Sequence, residues 1–399
     1  MSQAVAWALF DLANTFFAVA MLSFYFPMWV IEEQGATELV FSLAVGGSMA
    51  LVAALMPLCG ALSDATGRRM SWLRWTTYGC VGATLAIGWT HDLRWALLLF
   101  GMANVCYQLG TVFYDALLWR VAAPERLGRV SGLGAAYGYL GSMLGLALLW
   151  PFVRSGGPRA AIVPSALFFL LFALPSFLLI HERAAGPGIR WGEVVRTAHH
   201  RLMASLRAAR AVDGLWRYLW AGFFSAMAIN TILVFMAVYT RKVLGFEQDQ
   251  VVRFFLFGQF FAVLGALAFR GAVRRIGAKQ ALMVIWCGWI VALGLVAFGA
   301  SGRWLWIAGP LVGFCLGPTW ATSRVLVMEL APKARLAEML GLAGLAGRAA
   351  SILGPLLWGL VVQDPSRYGH AIVMLMGLLA IGIWLLSGVQ DAKRVAAAL

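Results

Sequence analysis

Charge is scarce in this 399-residue sequence: only 12% of residues are Asp, Glu, Lys or Arg, about half the share usual in a soluble domain. Acidic residues are scarcer still, 17 against 31 basic ones, which leaves a formal charge of +14. With 62% hydrophobic residues, 25 Phe and 18 Trp, a wholly water-facing surface is excluded, because so much apolar bulk has nowhere to hide. Cysteine is sparse. Cys59, Cys80, Cys106, Cys287 and Cys315 all fall in apolar blocks and make no CxxC pair or metal-ligand spacing. They imply no disulfide framework and read as small buried hydrophobes. No GxxxxGK[ST] loop, nucleophile elbow or HExxH pair occurs, so no ATP hydrolysis, catalytic residue, metal or cofactor is expected. The N-terminus lacks a basic segment and a small-residue cleavage pattern, so its first apolar stretch reads as a retained helix.

What the sequence does have is apolar length. Blocks fall at about 6–31, 39–63, 70–90, 94–121, 130–153, 160–180, 214–240, 250–273, 279–300, 304–330, 340–362 and 370–389. Each can cross a hydrocarbon core of about 30 Å. The fold expected is an all-α integral membrane protein of about twelve spanning helices. The positive charge does not point to nucleic acid, because it is not gathered on one module. It sits in alternate short loops, at Arg68, Arg69 and Arg74, Arg126 and Arg129, Arg274, Arg275 and Lys279, Lys333 and Arg335, and the tail Lys393 and Arg394. The opposite loops are poorer in base, and the first carries Glu32, Glu33 and Glu38. Both termini are therefore expected in the cytoplasm. The central stretch adds Arg183, Arg190, Arg196, Arg201, Arg207 and Arg210, with Val195, Leu202 and Leu206 at helical spacing. It reads as a basic amphipathic helix on anionic lipid, with His199 and His200 interfacial.

The chain repeats itself. Ala123-Pro-Glu-Arg-Leu-Gly-Arg, ending helix four, matches Ala331-Pro-Lys-Ala-Arg-Leu-Ala, ending helix ten, at an offset of about 208 residues. A glycine-rich helix follows each, with Gly132, Gly134, Gly138, Gly141 and Gly145 in one and Gly341, Gly344, Gly347 and Gly354 in the other. Two six-helix lobes are expected, over 1–181 and 214–399, joined by a cytoplasmic linker over 182–213.

Between helices two and three lies Gly60-Ala-Leu-Ser-Asp64-Ala-Thr-Gly67-Arg68-Arg69. It resembles the signature loop G-x-L-[SA]-D-x-x-G-R-[RK] of the major facilitator superfamily. In that reading Gly60 lets helices approach, Gly67 makes a tight turn and Asp64 pairs with base or a helix N-terminus. Arg68 and Arg69 anchor to lipid and to carboxylates, and the loop latches one state of a rocking bundle. The second-half copy has Arg274 where the Asp would stand, so a latch there should be weaker. Trp7-Ala-Leu-Phe-Asp11-Leu-Ala-Asn14-Thr-Phe-Phe, Phe113-Tyr-Asp115 and Pro124-Glu-Arg-Leu-Gly-Arg-Val-Ser-Gly132-Leu-Gly are similar to the vacuolar-effluxer-like branch of that superfamily. Its fungal members are implicated in releasing amino acids from vacuoles during autophagy. The short N-terminus and lack of large inserted loops resemble the bacterial type, which implies the bacterial inner membrane.

Polar residues inside a membrane usually face a cavity or one another. On helix four, Asn104, Gln108, Thr111 and Asp115 recur at helical spacing and share a face, bordered by Tyr107 and Tyr114. The superfamily resemblance implies that helices one, four, seven and ten line the cavity. Helix one offers Asp11, Asn14 and Thr15, helix seven Ser225, Asn230 and Thr231, and helix ten Thr319, Thr322, Ser323 and Arg324. Gln259 on helix eight and Arg348 on helix eleven complete the expected substrate and ion pathway, whereas Arg120 and Glu329 read as gate charges. Asp11 and Asp115 are the candidate proton carriers. The function expected is a monomeric secondary transporter of a small solute, proton-coupled or not, in contact with membrane lipids. The alternative is a non-transporting sensor or scaffold on the same fold.

Overall fold

The computed structural model describes residues 2–122, 126–182, 203, 206–212, 214–298, 304–332, 335–364 and 367–389. Twelve long helices and no strand occur among them. These are α1 (Gln3–Glu33), α2 (Glu38–Thr66), α3 (Arg69–Trp89), α4 (Leu93–Val121), α5 (Leu127–Gly156) and α6 (Ile162–Leu179). Then come α7 (Leu215–Lys242), α8 (Gln248–Ile276), α9 (Ala278–Phe298), α10 (Leu305–Leu330), α11 (Leu336–Val361) and α12 (Tyr368–Ser387). Eleven are long and apolar enough to cross a membrane; α3 is the exception. Its 21 residues suffice in length. Arg69, Ser71, Arg74, Thr76, Thr77 and Thr84 lower its hydropathy, and the threonines return their hydroxyls to backbone carbonyls one turn back. Charge of the favourable sign sits at both of its ends. Glu182 accepts from the Met70 N–H at 2.7 Å, and Arg159 donates to the Thr90 and Gly88 carbonyls.

Local chemistry sets the helix ends. Ser2 caps α1, Asp92 caps α4 through the Arg94 N–H, and Glu247 with Gln250 makes a capping box at the start of α8. α1 is not a uniform helix. It widens into π-type turns at Ala18–Ser23 and Trp29–Glu33, with a break at Phe24. Pro27 explains the break, since it has no N–H to return to the Ser23 carbonyl.

The chain divides into two compact units, 1–201 with 234–238, and 202–233 with 239–399. In the first, α1 lies against α5 and α6, α4 against α2 and α3, and α3 against α6. In the second, α10 lies against α8 and α9, and α9 against α12. The repeat extends to single contacts. Left-handed glycines turn the chain at Gly35 and Gly67, and again 210 residues later at Gly245 and Gly277. A Cβ on Gly79 would meet the Cys106 sulfur, and one on Gly288 would meet the Cys315 sulfur, 209 residues on in both partners. Trp7 of α1 donates its indole N–H to the Tyr114 carbonyl of α4. Tyr218 of α7 likewise donates its hydroxyl to the Ser323 carbonyl of α10.

Cysteine burial is uneven. Cys80 and Cys315 are buried as expected, but Cys287 is exposed on α9. Most of the expected amphipathic linker lies outside the described residues; of its arginines, Arg210 stacks its guanidinium over the Trp216 ring at 4.7 Å.

Candidate transport site

The glycines of α5 position the first half of α1. A Cβ on Gly141 would fall 2.5 Å from the Leu12 carbonyl oxygen and 2.8 Å from its Cα, so backbone meets backbone there. Gly134 faces the Trp7 ring, Gly138 faces Asp11 and Gly145 faces Val19. The same side of α1 is tied to α4 by aromatic rings. Trp7 stacks on Tyr114 at 4.4 Å, and Phe17 lies 4.8 Å from Tyr107. These two contacts make α1 and α4 antiparallel neighbours. They bracket a stretch in which Asp11, Asn14 and Thr15 run level with Thr111 and Gln108.

Burial sorts the residues of this stretch. Asp11 is half-buried, with Oδ2 facing the open Cα of Gly138, and Tyr139 lies within its electrostatic reach. Thr15 donates to the Asp11 carbonyl at 2.7 Å, and Asn14 is buried. Gln108 and Thr111 are half-exposed, and Thr111 donates to the Gln108 carbonyl. Asp115 is exposed nearer the helix end. Asn104 departs from the stripe expected for α4. It is fully buried and donates to the Ser48 hydroxyl of α2 at 2.8 Å, while its Oδ1 has no partner among the described residues. Its face turns into the α2–α4 contact, because Ser48 offers a hydroxyl there.

The second unit holds Asn230 between α7 and α11. Its amide donates to the Ser351 hydroxyl at 2.7 Å and reaches the Gly347 carbonyl. Thr231 is buried against Gly354. Thr319 accepts from the Trp289 indole and so faces α9, and Thr322 is buried. Ser225 is buried too, against Gly382 of α12. Arg348 is half-buried, and Arg324 is exposed. Gln259 is half-exposed, yet its Oε1 is buried without a partner among the described residues. Arg120 and Glu329 stand exposed in the last turns of α4 and α10.

The signature loop is partly as expected. Gly67 turns at φ 62°, a conformation that a side chain resists. Arg69 donates to the Ala116 carbonyl of α4 and so ties the loop to α4. Arg68 is exposed. Gly60 does not serve a close approach, since a Cβ there would meet nothing within 4 Å. The Asp64 side chain lies outside the described residues, as do the side chain of Arg129 and the motif residues Pro124 and Glu125.

Sequence reading missed Ser48, Glu182 and Ser351, and named Trp7 only as part of a motif, without its contact to α4. Glu182 had a signal, a lone acid opening a strongly basic segment. The others had none, because their partners lie far away along the chain.

Comparison with known proteins places this geometry. A family model described as vacuole effluxer Atg22 like matches residues 122–398. The uncharacterized MFS-type transporter YxiO of Bacillus subtilis (strain 168) is 25% identical over 411 residues, covering 98% of this chain and 95% of that protein. Autophagy-related protein 22 of Kluyveromyces lactis is 23% identical over 406 residues, covering 92% and 82%. Among solved structures, a D-xylose-proton symporter superposes with a TM-score of 0.74 at 14% identity, covering 98% of each chain. The peptide transporter POT in complex with sulfate gives 0.74 at 14%, covering 100% of this chain and 95% of its own. At such identities these two likenesses concern the fold alone.

Proposed function

Since the chain belongs to the Atg22-like vacuole effluxer family, a branch of the major facilitator superfamily, we propose that it is a secondary carrier of a small solute that works by alternating access. It is a multi-pass membrane transporter of the MFS type and not an enzyme. The observation that carries the finer reading is Asp11, half-buried on α1 against a glycine of α5 and level with the half-exposed Gln108 and Thr111. A carboxylate kept at that depth is costly unless it serves a polar path. The path in the first unit is built from Asp11, Asn14, Thr15, Gln108, Thr111 and Asp115. In the second it is built from Asn230, Gln259, Arg324 and Arg348. The family's description as effluxers supports outward movement, and the solute proposed is an amino acid or a related small metabolite, with a proton as coupling ion. Solute flux in proteoliposomes tests the reading. Accumulation of labelled amino acid in inverted vesicles under a proton gradient is expected, and the absence of any solute flux would leave a sensor or scaffold as the better account.

Two further outcomes follow from the loops. Cysteines placed within 186–213 of an otherwise cysteine-free protein should react with impermeant maleimide from the cytoplasmic side only, because the arginines there oppose translocation. Labelling in intact cells would reverse the proposed orientation. Asp64→Asn should leave the protein folded and substrate affinity unchanged but lower flux by about tenfold or more, the loss of roughly one charge-assisted hydrogen bond. Undiminished flux would reduce Asp64 to a structural role.

A further inference from the structure

At the basic end of the first unit, a cleft of about 380 Å³ opens between the first turn of α3 and the end of α6. Arg68 lines it from just before α3, Ser71 and Arg74 from α3 itself, and Leu178, His181 and Glu182 from α6 and the residues after it. Its charge is predominantly positive. Glu182 is committed inward, with one oxygen on the Met70 N–H and the other buried from solvent. Neither arginine makes an ion pair among the described residues. Arg74 donates to the Phe177 carbonyl, and Arg68 has an exposed guanidinium.

The walls of the cleft change character along the helices. On α3, Ser71, Trp75 and Tyr78 share one face. Trp75 is 71% exposed, and its ring meets Tyr78, which meets Phe177 of α6. On α6, Leu171, Leu174 and Leu178 share a face and are all exposed, Leu178 by 70%. Arginine and histidine thus stand at the helix ends with Leu178 beside them, and Trp75, Tyr78, Leu174 and Leu171 form the wall one to two turns further in. A basic rim above an aromatic and aliphatic wall suits an anionic headgroup with its acyl chains alongside.

We propose that this cleft binds an anionic phospholipid. Arg68, Arg74 and His181 take the phosphate, and the acyl chains lie along Trp75 and the three leucines. The inference rests on membrane embedding alone and stands whatever solute the protein carries. Phosphatidylglycerol is the probe, and the purified full-length protein is titrated with it in detergent and read by native mass spectrometry. Phosphatidylcholine, which has no net charge, and inorganic phosphate serve as comparisons. Phosphatidylglycerol should bind more tightly than phosphatidylcholine, and Arg68→Gln should weaken it about fivefold, the value of one arginine near an anionic surface. Arg154→Gln, at an exposed arginine of α5, should leave it unchanged. Arg74→Gln should act like Arg68→Gln but also loosens the bond to Phe177, so Arg68 carries the test. Equal binding of the two lipids, or equal effects of Arg68→Gln and Arg154→Gln, would overturn the proposal. Displacement of phosphatidylglycerol by millimolar inorganic phosphate would reassign the cleft to a free anion and overturn it as well.

Discussion

Gly141→Ala should lower the melting temperature of the purified protein by roughly 5–10 °C, whereas Gly344→Ala should change it by no more than about 2 °C. The two positions look alike in sequence, since each is one glycine of a glycine-rich helix. Their surroundings differ. An added methyl at Gly141 would lie 2.5 Å from the Leu12 carbonyl oxygen and 2.8 Å from its Cα, and neither atom can rotate away. Relief requires α1 to move off α5, which also disturbs Gly134 on Trp7 and the stacking of Trp7 on Tyr114. Overpacking of that kind costs about 1–3 kcal/mol where side chains can adjust, and the backbone contact sets this case near the upper end. At Gly344 a methyl would meet nothing within 4 Å, and alanine is the better helix former. A thermal scan read by size-exclusion chromatography distinguishes them. Equal melting temperatures for wild type and Gly141→Ala would mean that α1 and α5 are not held at this distance.

Asp11→Asn should abolish substrate-driven proton movement in liposomes while leaving the protein folded, and Asp115→Asn should leave most of that movement intact. The two acids were equal candidates in sequence, but they are not equally placed. Asp11 is half-buried beside Gly138 and Tyr139, where solvent has limited access to a carboxylate. Asp115 is exposed near the end of α4. A proton carrier must be reached from water in one state and sealed in another, and only the enclosed residue changes environment enough for that. The measurement is the pH change inside vesicles on addition of substrate, with flux of labelled substrate recorded in parallel. Normal coupled transport by the Asp11→Asn, Asp115→Asn protein would exclude both as carriers. Loss of coupling in Asp115→Asn alone would move the role to α4.

The helix plan was legible because a spanning helix writes its length into hydropathy. All twelve blocks became helices with ends shifted by a few residues, and Gly67 turns where the motif placed it. α3 was legible as a helix yet falls short of the apolar content of the rest, because its polar side chains are satisfied locally or at its ends. The polar face of α4 was only half legible. Spacing establishes that Asn104, Gln108, Thr111 and Asp115 share a side, but that side is wide enough for Asn104 to turn into α2 while Gln108 stays half-exposed. Ser48, 56 residues earlier, decides the matter, and nothing local announces it. Gly60 fails for a related reason. Clearance around a glycine depends on the helix opposite, which spacing on its own helix does not reveal. The Asn230 contact with Ser351 joins residues 121 apart and was equally silent.

The contacts that recur about 210 residues apart carry a historical consequence. Gly35 and Gly245, Gly67 and Gly277, Gly79 with Cys106 and Gly288 with Cys315 are all neutral scaffold, kept in both descendants of one ancestral six-helix unit. Some charges were kept, as at Arg126 and Arg335 before α5 and α11, but two of the acids were not. Counting from Trp7 and Tyr218, which make the same bond, Asp11 falls on Gly222, and counting from Gly67 and Gly277, the Asp64 of the loop falls on Arg274. The two halves thus differ at these acids while sharing the glycine and cysteine contacts. A deep mutational scan should record that history as tolerance profiles that correlate between the halves at the glycine and cysteine positions and part company at Asp11 and Asp64.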